Sequence, residues 1–341
     1  MNFEQIEFKS NPKFKFKEII SDKNEGFSIS SLFEIYKDKD DDIVIASGFL
    51  DVKNPYSTKY ISIISLKNNK RKKQLLYELN ERVRVIRYFI NPKTKNAYLA
   101  SVGINCQIVI WDINKDYQIF FNHKFESYYA NDILMLFINN NINIIIPLKE
   151  PGNTIIMNVY SKNEIQIEKI ENILELTIYN LSYWYNIYND KHYIIYCGQY
   201  KVLINEYNHK ENYATIETDN YPVNLGSIVY TRNNIDYLCF SSQFGLIIIY
   251  DLLNRNIVKR IEIENAFLIN IVKWNHKYLL TIDDNKKSII VIDLYNNKII
   301  SLIKIPEIFS HERYLRKVIH PLYGESLISI GNDWKIKLYT I

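Results

Sequence analysis

The stretch Ser326–Ile341, SLISIGNDWKIKLYTI, reads as a strand, a tight turn and a second strand, after which the sequence ends. A hairpin in that place leaves the N–H and C=O groups of its last strand without a partner, and such an edge invites aggregation. We therefore expect another segment of the chain to supply a neighbouring strand.

The same pattern recurs along the chain with a period of about 45 residues. Equivalent positions near the end of the third strand, called the markers below, fall at residues 64, 111, 158, 205, 250, 292 and 339. An apolar segment precedes each hairpin, so each unit has four strands, here called a, b, c and d. Strands b and c are apolar on both faces, as in strands packed between neighbouring sheets, and no useful amphipathic helix pattern appears. Four-stranded units at this period predict an all-β, seven-bladed β-propeller.

The strand missing from the last unit has a candidate at the N-terminus. The seventh unit has strands a, b and c but no d, whereas FKFKEII (Phe14–Ile20) precedes the first unit's own a strand near residues 28–36. We expect residues 12–20 to form the outer strand of blade 7 and close the ring. The prediction is one domain, residues 1–341, with blades at about 27–79, 83–124, 129–170, 181–218, 224–263, 268–305 and 315–341.

The last unit carries a family resemblance. HERYLRKVIHPLYGESLISIGNDWKIKLYT, residues 311–340, resembles a WD40 repeat. His311, Ser329 and Asp333 stand at the family's positions, and Tyr339 stands where Trp is usual. The resemblance implies that these four side chains form a hydrogen-bonded set, since polar groups buried beside a strand end need partners.

Other units keep parts of the same signature. The second unit has Ser101, Trp111 and Asp112, and the fifth and sixth keep Asp251 and Asp293. The first, third and fourth units lack it. Since WD40 propellers are generally non-catalytic platforms, the resemblance implies a scaffold that mediates protein–protein interactions. We expect a monomeric propeller that is a subunit of a larger protein assembly.

Composition narrows the class of protein further. With 42 Lys and Arg against 38 Asp and Glu, the net charge is +4, too small a bias to favour nucleic acid or membrane. The N-terminus has no signal-peptide pattern, and no segment has the run of apolar residues needed to cross a bilayer. Cys106, Cys197 and Cys239 are odd in number and lie in unrelated contexts, which favours a reducing compartment over a disulfide framework. We expect a soluble protein of the cytoplasm or nucleus.

Catalytic and metal-binding motifs are missing from the sequence. It has no Gly-rich phosphate loop and no Cys-x-x-Cys pair, and Leu315 stands where a zinc-binding helix beginning at His311 would need a second His. The acidic run Asp38–Asp42 lacks the glycine of a calcium loop, and Phe49 takes the place of its Glu. We predict no catalytic residue, no cofactor and no metal. An enzyme with a site in the central channel is an alternative that needs convergent acids or histidines on the inner strands, where only VIHP and NIVKW contribute polar groups.

One concentrated basic run lies between strands c and d of the first unit. The run KNNKRKK contains Lys67, Lys70, Arg71, Lys72 and Lys73. It makes RNA or an anionic membrane surface the alternative partner. We favour a solvated hairpin tip, because no aromatic residue alternates with the cations to stack on bases.

Three aromatic residues occupy turns between strands b and c. Tyr200 and Trp334 stand where WD40 repeats usually have a small residue, and Phe244 lies one step earlier in its turn. Because aromatic anchors dominate interface energetics, these residues are the predicted partner-binding patch. The competing interpretation is that each packs on its own blade.

Overall fold

The computed structural model describes residues 15–20, 27–29, 33–51, 54–76, 83–103, 106–125, 129–138, 141–148, 153–161, 164–172, 177–209, 212–219, 222–223, 226–304, 312–331 and 336–340. These residues form 29 strands and, within those ranges, no helix. The strands assemble into seven sheets, the blades of a β-propeller, which confirms the predicted fold class. The chain divides into two compact units: Ile19–Ile178 with His320–Gly324, and Met1–Glu18 with Tyr179–Ile319 and Glu325–Ile341.

The first unit contains blades 1 to 3. Blade 1 is made of β2 (Phe27–Ile29), β3 (Glu34–Lys37), β4 (Ile43–Asp51), β5 (Asn54–Ser65) and β6 (Lys70–Leu76). Blade 2 is made of β7 (Val83–Ile90), β8 (Ala97–Gly103), β9 (Gln107–Asp112) and β10 (Gln118–Lys124). Blade 3 is made of β11 (Leu134–Ile138), β12 (Asn141–Pro147), β13 (Asn153–Ser161) and β14 (Glu164–Asn172).

The second unit contains the strands of blades 4 to 7, apart from a few residues at strand ends. Blade 4 has β15 (Ile178–Asn186), β16 (Lys191–Gly198), β17 (Lys201–Glu206) and β18 (Asn212–Glu217). Blade 5 has β19 (Ser227–Arg232), β20 (Ile235–Ser241), β21 (Leu246–Asp251) and β22 (Asn256–Glu262). Blade 6 has β23 (Val272–Lys273), β24 (Tyr278–Asp283), β25 (Ser288–Asp293) and β26 (Lys298–Lys304). Blade 7 has β27 (Glu312–His320), β28 (Gly324–Gly331), β29 (Ile336–Thr340) and β1 (Lys15–Ile20).

The N-terminal strand completes the last blade as predicted. The strand order of blade 7 is β1-β29-β28-β27, so β1 pairs with the last strand of the chain. Blade 1 departs from the expectation of one inner strand. Its long b strand, β4, pairs with β3 through Ile43–Ala46 and with β2 through Phe49–Asp51. Because β4 has nine residues, it has room for two short partners.

The core lies between successive sheets. Strands β9, β21 and β25 are buried at every position. Within the first unit, one apolar cluster joins blades 1 and 2 and another joins blades 2 and 3. Within the second unit, similar clusters join blades 4 and 5, 5 and 6, and 6 and 7. This distribution explains why strands b and c are apolar on both faces.

A β-bulge recurs at the same place in the repeat. In blades 1, 2, 4, 5 and 6, the pairing of strands c and d shifts register beside the marker. A bulge redirects the side chain of the extra residue. The extra residues are Lys72, Phe120, Tyr213, Val258 and Ile300.

The turns depend on Asn and Asp because the chain has only nine glycines. Ten of the fifteen described non-glycine residues with positive φ are Asn or Asp, such as Asn69, Asn208 and Asn297. These two residue types tolerate the left-handed region better than other side chains do.

A side-chain amide links the inner strands of blades 6 and 7. Asn270 is buried, its Nδ2 donates to the carbonyl of Leu315 at 2.7 Å, and its Oδ1 accepts the N–H of Leu315 at 2.8 Å. Gly226 of blade 5 lies against the same residue, and a Cβ added there would lie 2.7 Å from Asn270 Cβ. Asn131 makes a similar bond to the carbonyl of Ile178 at 2.8 Å.

Candidate partner-binding surfaces

Two residues of the predicted hydrogen-bonded set meet in blade 7. Ser329 Oγ donates to Tyr339 Oη at 3.1 Å, and both side chains are buried. The hydroxyl of tyrosine thus provides a hydrogen-bonding group on the strand where a WD40 repeat usually has Trp. His311 and Asp333 lie outside the described residues.

Blade 2 uses its copy of the signature differently. Trp111 is buried in the core between blades 1 and 2. Ser101 is buried as well, and its Oγ has no hydrogen-bond partner among the described residues. The structure therefore places Ser101 and Trp111 in the core without linking them by a described hydrogen bond.

The aspartates at the ends of the c strands hold the turns between strands c and d. Asp293 Oδ1 accepts the backbone N–H groups of Tyr295 at 2.7 Å and Asn296 at 3.2 Å. Asp251 accepts two turn N–H groups at 3.0 and 2.9 Å, and Asp112 accepts one at 3.2 Å. A carboxylate in this position satisfies backbone donors that the hairpin leaves unpaired.

Two cations of the basic run are paired with carboxylates, one in the acidic run of the same blade and one in blade 2. Lys72 Nζ lies 2.5 Å from Asp38 Oδ2 and 3.2 Å from Asp40 Oδ2. Lys73 Nζ lies 2.6 Å from Asp116 Oδ2, in the c–d turn of blade 2. The a–b and c–d turns of one sheet lie at the same end, which explains how charges about thirty residues apart meet.

The pKa values in this cluster reflect these ion pairs. Burial alone would lower the pKa of Lys72, but hydrogen bonds to Asp38 and Asp40 raise it above its usual range. The hydrogen bond from Lys73 lowers the pKa of the Asp116 carboxyl. Arg71 lies over the ring of Tyr60, with its guanidinium carbon 5.4 Å from the ring centroid. These contacts reduce the positive potential of the basic run, although Lys67 and Lys70 remain exposed.

The predicted aromatic patch is only partly described. Phe244 is 58% exposed in the turn between β20 and β21. Tyr200 is half-buried in the turn between β16 and β17, where its hydroxyl accepts a hydrogen bond from Gln199 Nε2 at 2.8 Å. Trp334 lies outside the described residues. Of the two described members of the predicted patch, Phe244 is the more exposed.

The cysteines and His192 lie in structural surroundings, whereas His209 and His276 are exposed. All three cysteines are buried, and none of them forms a disulfide. His192 Nδ1 lies 2.6 Å from the hydroxyl of Tyr183, and burial lowers the pKa of this imidazole. No group of three or more described His, Cys, Asp or Glu side chains is arranged to hold a metal ion. Over the same ranges, no helix has the length and hydropathy needed to cross a membrane.

Comparison with known proteins gives a structural neighbour but no family. No protein-family model matches the chain, and no curated protein matches it. A crystal structure of BBS1N in complex with ARL6DN, soaked with mercury, is similar in fold, with a TM-score of 0.66 and 11% sequence identity. The similarity covers 96% of this chain and 97% of that one. The fold is a β-propeller.

A second group of exposed apolar side chains was not predicted from the sequence. Ile187 and Tyr188 occupy the a–b turn of blade 4 and are 68% and 61% exposed, and Tyr185 beside them is also exposed. The equivalent turns of blades 5 and 6 carry Asn233-Asn234 and Asn275-His276. A comparison of the a–b turns across the repeats distinguishes blade 4 from blades 5 and 6. Two large apolar side chains at one hairpin tip are a signal of a binding surface.

Proposed function

We propose that the chain is a non-catalytic WD40-type propeller that binds other proteins as a subunit of a larger assembly. The observation that carries this proposal is the exposure of apolar side chains on turns that are otherwise polar, with Phe244 on a b–c turn and Ile187 and Tyr188 on an a–b turn. Exposed aromatic and large apolar side chains on turns are the usual anchors of protein interfaces.

The assignment to the WD40 type rests on residues of the last and middle blades. The Ser329–Tyr339 hydrogen bond lies where the family has its buried polar set. Asp251 and Asp293 stand at the second position of the Trp-Asp pair and accept the N–H groups of the following turn. The structural neighbour adds support of a general kind, since it is a propeller in complex with a protein.

The proposal of a non-catalytic role is supported by what the acids and imidazoles do. Asp251 and Asp293 hold turns, Asp132 is paired with Arg87 at 2.5 Å, and His192 contacts Tyr183. The contacts of these side chains stabilise the fold, which supports a structural role for them rather than a catalytic one. Buried cysteines that form no disulfide suit a reducing compartment, and we propose an intracellular location.

The alternative of RNA or anionic lipid binding through Lys67–Lys73 is less well supported, because Lys72 and Lys73 already have carboxylate partners. Binding to a 20-residue poly-U RNA, or to vesicles with 30% phosphatidylserine, that falls with salt and is lost on changing Lys67, Lys70 and Arg71 to Gln would favour it. No salt-dependent binding is expected.

The proposed function is tested by capture of partners with the tagged full-length protein in its native cells, followed by quantitative mass spectrometry. The triple variant Tyr200→Ala, Phe244→Ala, Trp334→Ala should lose partners that the wild-type protein retains. The matched control is Ile119→Ala with Leu302→Ala, which removes exposed apolar side chains from the d strands of blades 2 and 6. Equal melting temperatures would show that all three proteins are folded. Recovery of no protein above a tag-only control would contradict the scaffold function.

A further inference from the structure

We propose that a second partner-binding surface lies on the a–b and c–d turns of blades 4 to 6, and that it binds a protein segment in which carboxylates alternate with apolar side chains. This inference rests on the proposed scaffold function and adds the place and the chemistry of the contact. The surface, called here the tyrosine–cation surface, consists of Tyr185, Ile187, Tyr188, Arg232, Arg255, Lys277 and Tyr295.

Hydrogen bonds make this surface continuous across three blades. Tyr188 of blade 4 donates through its hydroxyl to the carbonyl of Asn234 in the a–b turn of blade 5, at 2.7 Å. Arg232 at the start of that turn donates through Nη1 to Asn297 Oδ1 in the c–d turn of blade 6, at 3.2 Å. Tyr295 lies in the same c–d turn and is 50% exposed. The apolar and cationic side chains therefore share one connected set of turns.

The cations of the surface lie on tyrosine rings. The guanidinium carbon of Arg255 is 3.9 Å from the ring centroid of Tyr213, and that of Arg232 is 4.8 Å from the centroid of Tyr237. Lys277 Nζ is 5.2 Å from the centroid of the adjacent Tyr278. None of the three cations forms an ion pair with a described carboxylate, unlike Lys72 and Lys73 of β6 in blade 1.

The described carboxylates on the same turns already have hydrogen-bond or ion-pair partners. Asp236, Asp251 and Asp293 are buried and accept hydrogen bonds from Trp184 Nε1 or from turn N–H groups. Of the other described acids on these turns, Glu206 pairs with Lys191 at 2.8 Å, and Asp190 accepts a hydrogen bond from Tyr185. Asp190 is the one exposed carboxylate among the described residues of these turns, so the three cations outnumber the exposed acids there.

This arrangement suits an acidic peptide better than a nucleic acid. A guanidinium that is already stacked on a ring loses little freedom when it accepts a carboxylate, and it offers a planar fork for two hydrogen bonds. Ile187 and Tyr188 provide anchors for apolar side chains between the carboxylates. A nucleic acid would need cations along the length of its phosphate backbone, whereas this surface has three cations and the whole chain a net charge of only +4. The rings of Tyr213, Tyr237 and Tyr278 face cations, which leaves fewer rings for base stacking.

The test uses an array of 12-residue peptides in which Glu or Asp alternates with Leu, Phe or Trp, printed beside amide twins with Gln or Asn. The tightest acidic peptide and its twin are then titrated against the full-length protein by fluorescence anisotropy. We expect the amide twin to bind on the order of ten-fold more weakly. The variants Arg232→Gln/Arg255→Gln/Lys277→Gln and Ile187→Ser/Tyr188→Ser should each weaken the acidic peptide by a similar factor.

The matched control is Lys124→Gln/Lys259→Gln/Lys304→Gln, which removes three exposed cations from d strands and should bind the acidic peptide like wild type. All variants are first checked for an unchanged melting temperature. Equal binding of the acidic and amide peptides, or full binding by the triple Arg/Lys variant, would overturn the proposal. So would a poly-U RNA or phosphatidylserine vesicles binding tighter than every peptide and losing affinity in the same variant. If native partners are captured but the peptide results are negative, the scaffold function stands and this surface does not.

Discussion

The amide link between blades 6 and 7 provides a quantitative test of the packing. In an Asn270→Leu variant, a side chain of similar size fills the space but neither donates to the carbonyl of Leu315 nor accepts its N–H. Each buried backbone group left without a partner costs about 1–3 kcal/mol. Two such groups set a loss of about 2–6 kcal/mol, and we take about 3 kcal/mol as the working value because local relaxation recovers part of the loss.

The expected shift follows from the size of the chain. Unfolding raises the entropy by about 2.1 cal/mol/K per residue, which is roughly 0.7 kcal/mol/K for the whole chain. A loss of about 3 kcal/mol in the free energy of unfolding therefore lowers the melting temperature by about 4 °C. Differential scanning calorimetry measures this directly. Asn270→Ala should behave similarly, whereas Asn256→Ala, at an exposed position of β22, should change stability by less than about 0.5 kcal/mol. A melting temperature for Asn270→Leu within 1 °C of wild type would refute the link.

Three further predictions follow from the described contacts. Gly226→Ala should destabilise the protein by more than about 2 kcal/mol in thermal melts, since its Cβ would lie within 3 Å of Asn270 Cα and Cβ. Gly324→Ala, at φ +73° with open space around it, should cost only about 1 kcal/mol of strain. Asp293→Ala should cost about 1–2 kcal/mol in urea melts, because two turn N–H groups lose a charged acceptor, whereas Asp293→Asn should cost less. Burial lowers the pKa of His192 in the folded state, so the unfolded chain binds more protons near pH 6 and stability falls as the pH drops below about 6.5. Melts of His192→Phe at pH 7.5 and 5.5 should show a smaller loss than wild type.

Each of these predictions has a contradicting result. If the Gly226→Ala variant melts at or above the temperature of the Gly324→Ala variant, the close approach of Gly226 to Asn270 does not limit stability. Equal stability of Asp293→Ala and wild type would show that the turn does not depend on its carboxylate. A His192→Phe variant with the same pH dependence as wild type would assign the acid sensitivity to other groups.

The parts of the fold that repeat could be predicted from the sequence. The marker residues Trp111, Tyr250 and Tyr339 recur at regular spacing, and each lies in a buried c strand. The N-terminal strand was predictable because an open edge after β29 requires a partner. Both inferences use physics that is the same in every blade.

The parts that differ between blades were harder to predict. The split of the inner strand of blade 1 into β2 and β3 depends on the length of β4, and no turn residue indicates that length. The partial neutralisation of the basic run by Asp38 and Asp116 becomes visible only when the a–b and c–d turns are placed at the same end of their sheets. Asn131 and Asn270 each lie twenty residues after a marker, so a closer comparison of the repeats would have paired them. The bulges that redirect Lys72 and Tyr213 have no sequence signal that we recognise.

Completion of blade 7 by the N-terminal strand is the central structural claim, and it is tested by removing that strand and returning it. Deletion of residues 1–20 should lower the melting temperature sharply, because β29 then loses its neighbour and becomes an open edge. Addition of a synthetic peptide of residues 12–20 should restore most of the loss by pairing in place of β1, and a scrambled peptide should not. A truncated protein that melts at the wild-type temperature would contradict the claim, and so would one that the scrambled peptide restores equally well.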